Sequence, residues 1–137
     1  MKIAHMALRT QNLEQQARFW VSFFDGKINE KYCSKTNPGF ESYFVKIGED
    51  IAIELMTKPG LVGQQPDNNR CGWVHLAISV GGNENLAISV GGNENVDAVA
   101  MQAQEQGILV SGPRTTGDGY YEAVIRDPDG NLIEIVA

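Results

Sequence analysis

Two short apolar stretches each carry one histidine, "IAHMALR" near the N-terminus and "WVHLAIS" in mid-chain. Two others each carry one glutamate, "AIELM" and "LIEIV". His5 and His75 are the only histidines of the 137 residues. Around His5 stand Ala4 and Met6, around Glu54 Ile53 and Leu55, around His75 Val74 and Leu76, around Glu134 Ile133 and Ile135. Successive side chains of a strand point to opposite faces. Each stretch therefore packs one face on a core and presents an imidazole or a carboxylate on the other. The same order, His strand then Glu strand, occurs twice, and this limits the chain to folds made of one module used twice.

The segments between fill in that module. "QNLEQQARFWVSFFDG" has helical period. Its apolar stripe is Leu13, Ala17, Trp20, Val21 and Phe24, with Asn12 as cap, Gln15 at the capping-box position and Gly26 as the stop. A strand is expected within 27–34, another over "SYFVKI" and a third over "IAIELM". Residues 57–71, "TKPGLVGQQPDNNRC", read as a linker. The order then recurs. "GWVHLAISV" reads as a strand and "NVDAVAMQAQEQG" as a helix with Val96, Val99, Ala100 and Ala103 on one face and Gly107 as its stop. Strands follow at "ILVSG", "YYEAVIRD" and "NLIEIV", the last two joined by a turn at Asp127-Pro128-Asp129-Gly130. The expected fold is α+β: a βαβββ module over 1–57, a linker over 58–71 and a second βαβββ module over 72–137. These form one domain, the size expected of 137 residues.

One feature breaks the symmetry. Residues 76–85 and 86–95 are the same decapeptide, "LAISVGGNEN". His5 and Glu54 are 49 positions apart and His75 and Glu134 are 59 apart, so the halves differ by the ten residues of one copy. The repeat reads as a tandem duplication. The first copy follows His75 and the second follows Asn85, so only the first puts histidine beside its strand. A slip by ten residues keeps strand parity and leaves the apolar face indifferent. The first copy is expected to form the strand, with 86–92 an excursion before the helix.

Composition excludes several functions. The net charge is -6, with 17 acidic and 11 basic side chains and no basic run, which argues against nucleic acid and anionic membrane surfaces. No apolar run approaches the roughly 20 residues of a membrane span. The N-terminus has no secretory pattern, and Cys33 and Cys71 form no metal or disulfide motif, so a cytoplasmic protein with reduced thiols is expected.

A lone strand histidine is commonly a core residue with one hydrogen bond, and a lone strand glutamate commonly a solvated one. Four such residues in symmetry-related places point elsewhere. Converging, His5, Glu54, His75 and Glu134 would offer two imidazoles and two carboxylates to a divalent ion such as Ni, Co, Zn, Mn or Fe. A carboxylate on an apolar strand is costly unless it is paired or metal-bound.

The paired modules, the histidine strands "IAHMALR" and "WVHLAIS" and the C-terminal "DPDGNLIEIV" resemble the vicinal oxygen chelate superfamily over nearly the whole chain. That group includes glyoxalase I, bleomycin-resistance proteins, epimerases, fosfomycin-resistance enzymes and extradiol dioxygenases. The resemblance implies a cupped eight-stranded sheet around a metal with helices outside. It also implies a homodimer, with sites near or across the interface. The set His5, Glu54, His75 and Glu134 looks most like glyoxalase I, since epimerases usually have Gln where this chain has Glu54. The implied activity is that of a lactoylglutathione lyase, with glutathione as cosubstrate. The hemithioacetal would isomerise through a metal-stabilised enediolate, Glu134 or Glu54 acting as base and Arg9 binding a substrate carboxylate. Against this, "TKPGLVGQQPDNNRC" has no segment matching a glutathione-contacting loop.

Two other readings stay open. One is a different metal-dependent enzyme of the superfamily, an epimerase or another lyase. The other is a binding protein of the bleomycin-resistance type, holding an apolar ligand with Trp20, Trp73, Tyr120 and Tyr121. "GPRTTGDGYY" reads as a polar connector, or as a lid bearing Arg114, and "SVGGNEN" lacks the ending of a phosphate-binding loop.

Overall fold

The computed structural model describes residues 3–49, 51–63, 71–81 and 92–137. The chain divides into two compact units, Met1–Pro66 and Asp67–Ala137, and the architecture is α+β.

In the first unit the elements run β1 (Met6–Arg9), α1 (Leu13–Phe24), β2 (Lys27–Ile28), β3 (Tyr32–Cys33), β4 (Glu41–Ile47) and β5 (Ile51–Thr57). The sheet order is β1-β5-β4-β2, with β3 also on β4. β1 and β5 are parallel, because the chain crosses over through α1 before returning, and the other pairs are antiparallel. The strand expected within 27–34 is two dipeptides. Residues 29–31 lie outside the ladder between them, and the Asn29 side chain accepts from Phe44 N at 2.7 Å.

Helix α1 begins where expected, with Asn12 Oδ1 accepting from Gln15 N at 3.1 Å. The capping box does not close through Gln15, since the Asn12 N–H donates to Thr10 Oγ1 at 3.0 Å. The buried stripe is Leu13, Gln16, Ala17, Trp20 and Phe23. Val21 and Phe24 are half-buried, and Gln16 enters the core because its Oε1 accepts from Trp20 Nε1 at 3.1 Å. The chain leaves the helix through Asp25, in the left-handed region at φ 52. Gly26 follows because a Cβ there would stand 2.6 Å from Val45 Cγ1 and 2.7 Å from the Trp20 carbonyl oxygen. The stripe packs on β4 and β5, whose buried residues are Val45, Ile47, Ile53 and Leu55.

The second unit repeats the plan with β6 (His75–Ser79), α2 (Gly92–Glu105), β7 (Leu109–Thr115), β8 (Tyr121–Arg126) and β9 (Leu132–Val136). The order is β6-β9-β8-β7, again parallel for the first pair only. β6 is drawn from the first copy of the decapeptide. Of the excursion expected over 86–92, residues 86–91 lie outside the described residues, and Gly92 is the first residue of α2. Val96, Ala100 and Ala103 are buried, with Val99 half-buried. The helix ends in a Schellman turn: Ile108 N donates to Ala103 O at 2.9 Å and Gly107 N to Gln104 O at 3.0 Å.

Of "GPRTTGDGYY" only residues 116–120 are the connector between strands. Residues 112–115 belong to β7, and a tight turn closes at Thr116, whose N–H donates to Tyr120 O at 2.8 Å. β7 shifts register twice between Leu109 and Arg114. At that shift Gly112, at φ +90, lets the backbone come so close to β8 that a Cβ would lie 2.7 Å from the Glu122 carbonyl oxygen. The β8–β9 turn is built on Asp127. Its Oδ1 accepts from Asp129 N at 2.9 Å and Asn131 N at 2.8 Å, and its Oδ2 from Asn131 Nδ2 at 2.7 Å. Among the described residues no helix is long and apolar enough to cross a membrane.

Candidate functional site

Register decides which side chains share a face. In the first sheet Ala7 is level with Glu54, and Phe44 lies opposite Glu54 on the other side. His5 and Arg9 have the parity of Ala7, so His5, Arg9, Phe44 and Glu54 stand on one face, opposite the face that buries Ile53 and Leu55 under α1. His5 Nε2 lies 3.6 Å from Glu54 Oε2. The Phe44 ring meets the imidazole edge-on at 5.5 Å and 82°, so it holds the ring plane while leaving Nε2 toward the carboxylate. Arg9 is exposed, and among the described residues it has no ion pair or hydrogen bond.

The second sheet repeats this geometry position for position. Ala77 is level with Glu134, and Val124 lies opposite it. His75 Nε2 is 2.9 Å from Glu134 Oε2, a hydrogen-bond distance. Histidines and glutamates are exposed alike in the two units: 43% for each imidazole, 20% and 18% for the carboxylates.

The second unit adds two residues that sequence reading did not assign to the site. Glu122 lies across from Val136, two positions along from Glu134 on the same face, and it is buried. Arg114, opposite Glu122 on β7, sets Nη2 at 2.9 Å and Nε at 3.3 Å from Glu122 Oε1. The Glu122 and Glu134 carboxyls, diagonal neighbours on this face, can share a hydrogen bond when one of them holds a proton. That bond, with burial added and His75 opposing, pushes Glu134 above the usual carboxylate range. The same bond, with Arg114, holds Glu122 below it. The available signal was the period of two in "YEAVIR", which puts Glu122 on the face opposite buried Ala123 and Ile125. The equivalent position in the first sheet is Ser42, opposite Met56, so the two units differ here.

The donor atoms can be tested against a metal. Ligand nitrogen and oxygen bind such ions at about 2.0–2.2 Å, which puts neighbouring donors about 2.8–3.6 Å apart at octahedral or tetrahedral angles. Separations of 2.9 and 3.6 Å lie near the two ends of that range, so in each unit Nε2 and Oε2 fit as neighbours on one ion. Among the described residues no three His, Cys, Asp or Glu side chains are gathered into a metal-holding group.

The aromatics separate clearly. Trp20 is core at 1% exposure, whereas Trp73 is fully exposed and Tyr120 largely so. Tyr121 is tied to α2, its hydroxyl donating to Asp97 Oδ1 at 2.7 Å. Cys33 and Cys71 are both exposed and unpaired.

The model of the glyoxalase/bleomycin resistance protein/dioxygenase superfamily matches residues 2–135. Among solved structures, a glyoxylase/bleomycin resistance protein/dioxygenase domain from Frankia sp. EAN1pec is 17% identical with a TM-score of 0.79, over 99% of this chain and 90% of that one. The trypanothione-dependent glyoxalase I of Leishmania major is 18% identical with a TM-score of 0.72, over 99% of this chain and 86% of that one. The fosfomycin resistance protein FosX from Listeria monocytogenes is 18% identical with a TM-score of 0.69, over 98% of this chain and 91% of that one. A variant of FosX was solved with Mn(II) and 1S,2S-dihydroxypropylphosphonic acid. At these identities the likeness is one of fold. No curated protein matches the sequence.

Proposed function

The chain belongs to the glyoxalase/bleomycin resistance protein/dioxygenase superfamily, and from that premise we propose that it is a metal-dependent enzyme acting on a small substrate with adjacent oxygens. The observation that carries the reading is the pair of His–Glu couples at equivalent register positions of two sheets, with near-equal exposure and donor separations that suit one ion. His5, Glu54, His75 and Glu134 would together hold a single divalent ion, Ni, Zn, Co, Mn or Fe. When bound, such an ion supplies Lewis acidity to oxygens of the substrate.

The remaining chemistry belongs to the chain. Glu134 takes a proton from carbon beside a carbonyl and returns it to the neighbouring carbon, with Glu54 the alternative base. Arg9, a cation on the His5 face without a partner among the described residues, binds a substrate carboxylate. The substrate proposed first is the glutathione–methylglyoxal hemithioacetal, which makes the activity that of a lactoylglutathione lyase in a cytoplasmic homodimer. A binding role for apolar ligands finds support in the exposure of Trp73, two residues before His75, and of Phe44 beside His5.

The deciding experiment loads the protein with each metal in turn, measures metal per chain and follows thioester formation from the hemithioacetal. About one metal per His–Glu–His–Glu set and turnover are expected. In E134Q, kcat should fall by about 10²-fold or more, the scale of a general base. Metal without turnover moves the reading to another enzyme of the superfamily. No metal, with Trp73 fluorescence responding to apolar ligands, moves it to a binding protein.

A further inference from the structure

We propose that Glu122 is a positioning residue for the His75–Glu134 pair, itself fixed by Arg114. Three observations converge. Glu122 is buried on the face that carries His75 and Glu134, and burying a carboxylate is costly without partners. Arg114 supplies one partner, but both of its donors fall on the single oxygen Oε1. Glu134 is the diagonal neighbour of Glu122 on the same face, one ladder row away, and the two carboxyls interact. Glu134 is thereby held from two sides, by Glu122 and by His75 Nε2 at 2.9 Å. The first sheet has Ser42 at the equivalent place, and there the His–Glu separation opens to 3.6 Å.

An Arg–Glu pair that served only to link β7 to β8 would have no reason to reach Glu134. It could lie on any row of the ladder, exposed. This one lies one row along from Glu134, its carboxylate turned inward and its guanidinium outward, with side chains 8% and 57% exposed. For metal binding the inference rests on the function proposed above. For the posture of His75 it does not, and the test separates the two.

The chain has two histidines, so ring-¹⁵N-histidine spectra of the metal-free protein give His75 with His5 as internal control. Glu122→Ser copies the first sheet and should shift the His75 ring nitrogens while leaving His5 unmoved. Glu122→Gln, whose amide can still donate to Glu134, should restore the wild-type pattern. In metal titrations E122S should weaken binding about 10–100-fold, the usual effect of losing a group that orients a ligand, and E122Q by much less. A His75 signal unchanged in E122S, or one that moves together with His5, overturns the proposal. If wild type binds no metal but His75 alone moves, the positioning role stands and the metal reading falls. Should E122S fail to fold, R114Q, which removes only the exposed clamp, decides by the same His75-specific shift.

Discussion

Removing one copy of the decapeptide should leave the fold intact and make it more stable. Val80 N donates to Val136 O at 2.8 Å, and Asn95 Nδ2 donates to Val80 O at 2.7 Å. A methyl group at Gly81 would lie 3.8 Å from the Ala137 carbonyl carbon, and one at Gly92 would lie 3.9 Å from the same atom. Gly81 and Gly92 thus both stand beside Ala137, and joining them restores the single-copy sequence "VGGNEN". Deleting 76–85, 82–91 or 86–95 yields the same polypeptide, so one variant tests the idea whichever copy is regarded as the insert. Ten added residues that made no contacts of their own would cost about (3/2)RT ln 10 in closure, or about 2 kcal/mol. The shortened chain escapes that cost, and at this size its Tm should rise by about 5–10 °C. Urea and thermal melts of both chains measure the difference, and the His75 ring signals should not change. A lower unfolding free energy, or failure to fold, would refute the reasoning by showing that the ten residues make contacts worth more than their closure costs.

Three other outcomes follow from particular contacts. Asp127→Ala removes the acceptor of three turn hydrogen bonds and should cost about 2–3 kcal/mol in urea melts, at about 1 kcal/mol each; a loss below 0.5 kcal/mol, roughly a surface substitution, contradicts it. Gly112→Ala must fit a methyl 2.7 Å from the Glu122 carbonyl oxygen at φ +90, and should lose about 2 kcal/mol or more; a wild-type Tm would count against the close approach. Lys31, 2.5 Å away, holds the Glu14 carboxyl below its ordinary value near 4.5. A lowered folded value gives stability that is complete above the unfolded value and lost as pH falls through the folded one. The stability gap between wild type and Glu14→Gln should therefore close on acidification below about pH 4.5, the ordinary carboxyl range, and a gap that widens there rules the account out.

Much of the fold was legible from local rules. The period of two around His5, Glu54, His75 and Glu134 told which residues turn from the core. Asn12, Gly107 and the Asp127 turn behaved as their backbone chemistry requires. Where local reasoning failed, a neighbour distant in sequence had intervened. Gln16 entered the core because Trp20 offered an indole N–H, and Thr10 took the bond expected of Gln15. "GPRTTGDGYY" looked like a loop because a strand containing Gly and Pro has poor propensity. Pairing with β8, helped by the close approach at Gly112, makes residues 112–115 of it a strand.

By itself the sequence determined the doubled module and the four residues that leave the apolar face. Both follow from periodicity, which is a property of the chain alone. Only the tertiary structure decided that Glu54 stands level with Ala7 and Glu134 with Ala77, since parallel pairing joins strands more than 40 residues apart. It also decided that Arg114 and Glu122 stand on the face of His75 and Glu134, while Ser42 holds the equivalent place in the first sheet. Which side chains meet across a sheet is set by register, and register is fixed by hydrogen-bond ladders and core packing that no single strand contains.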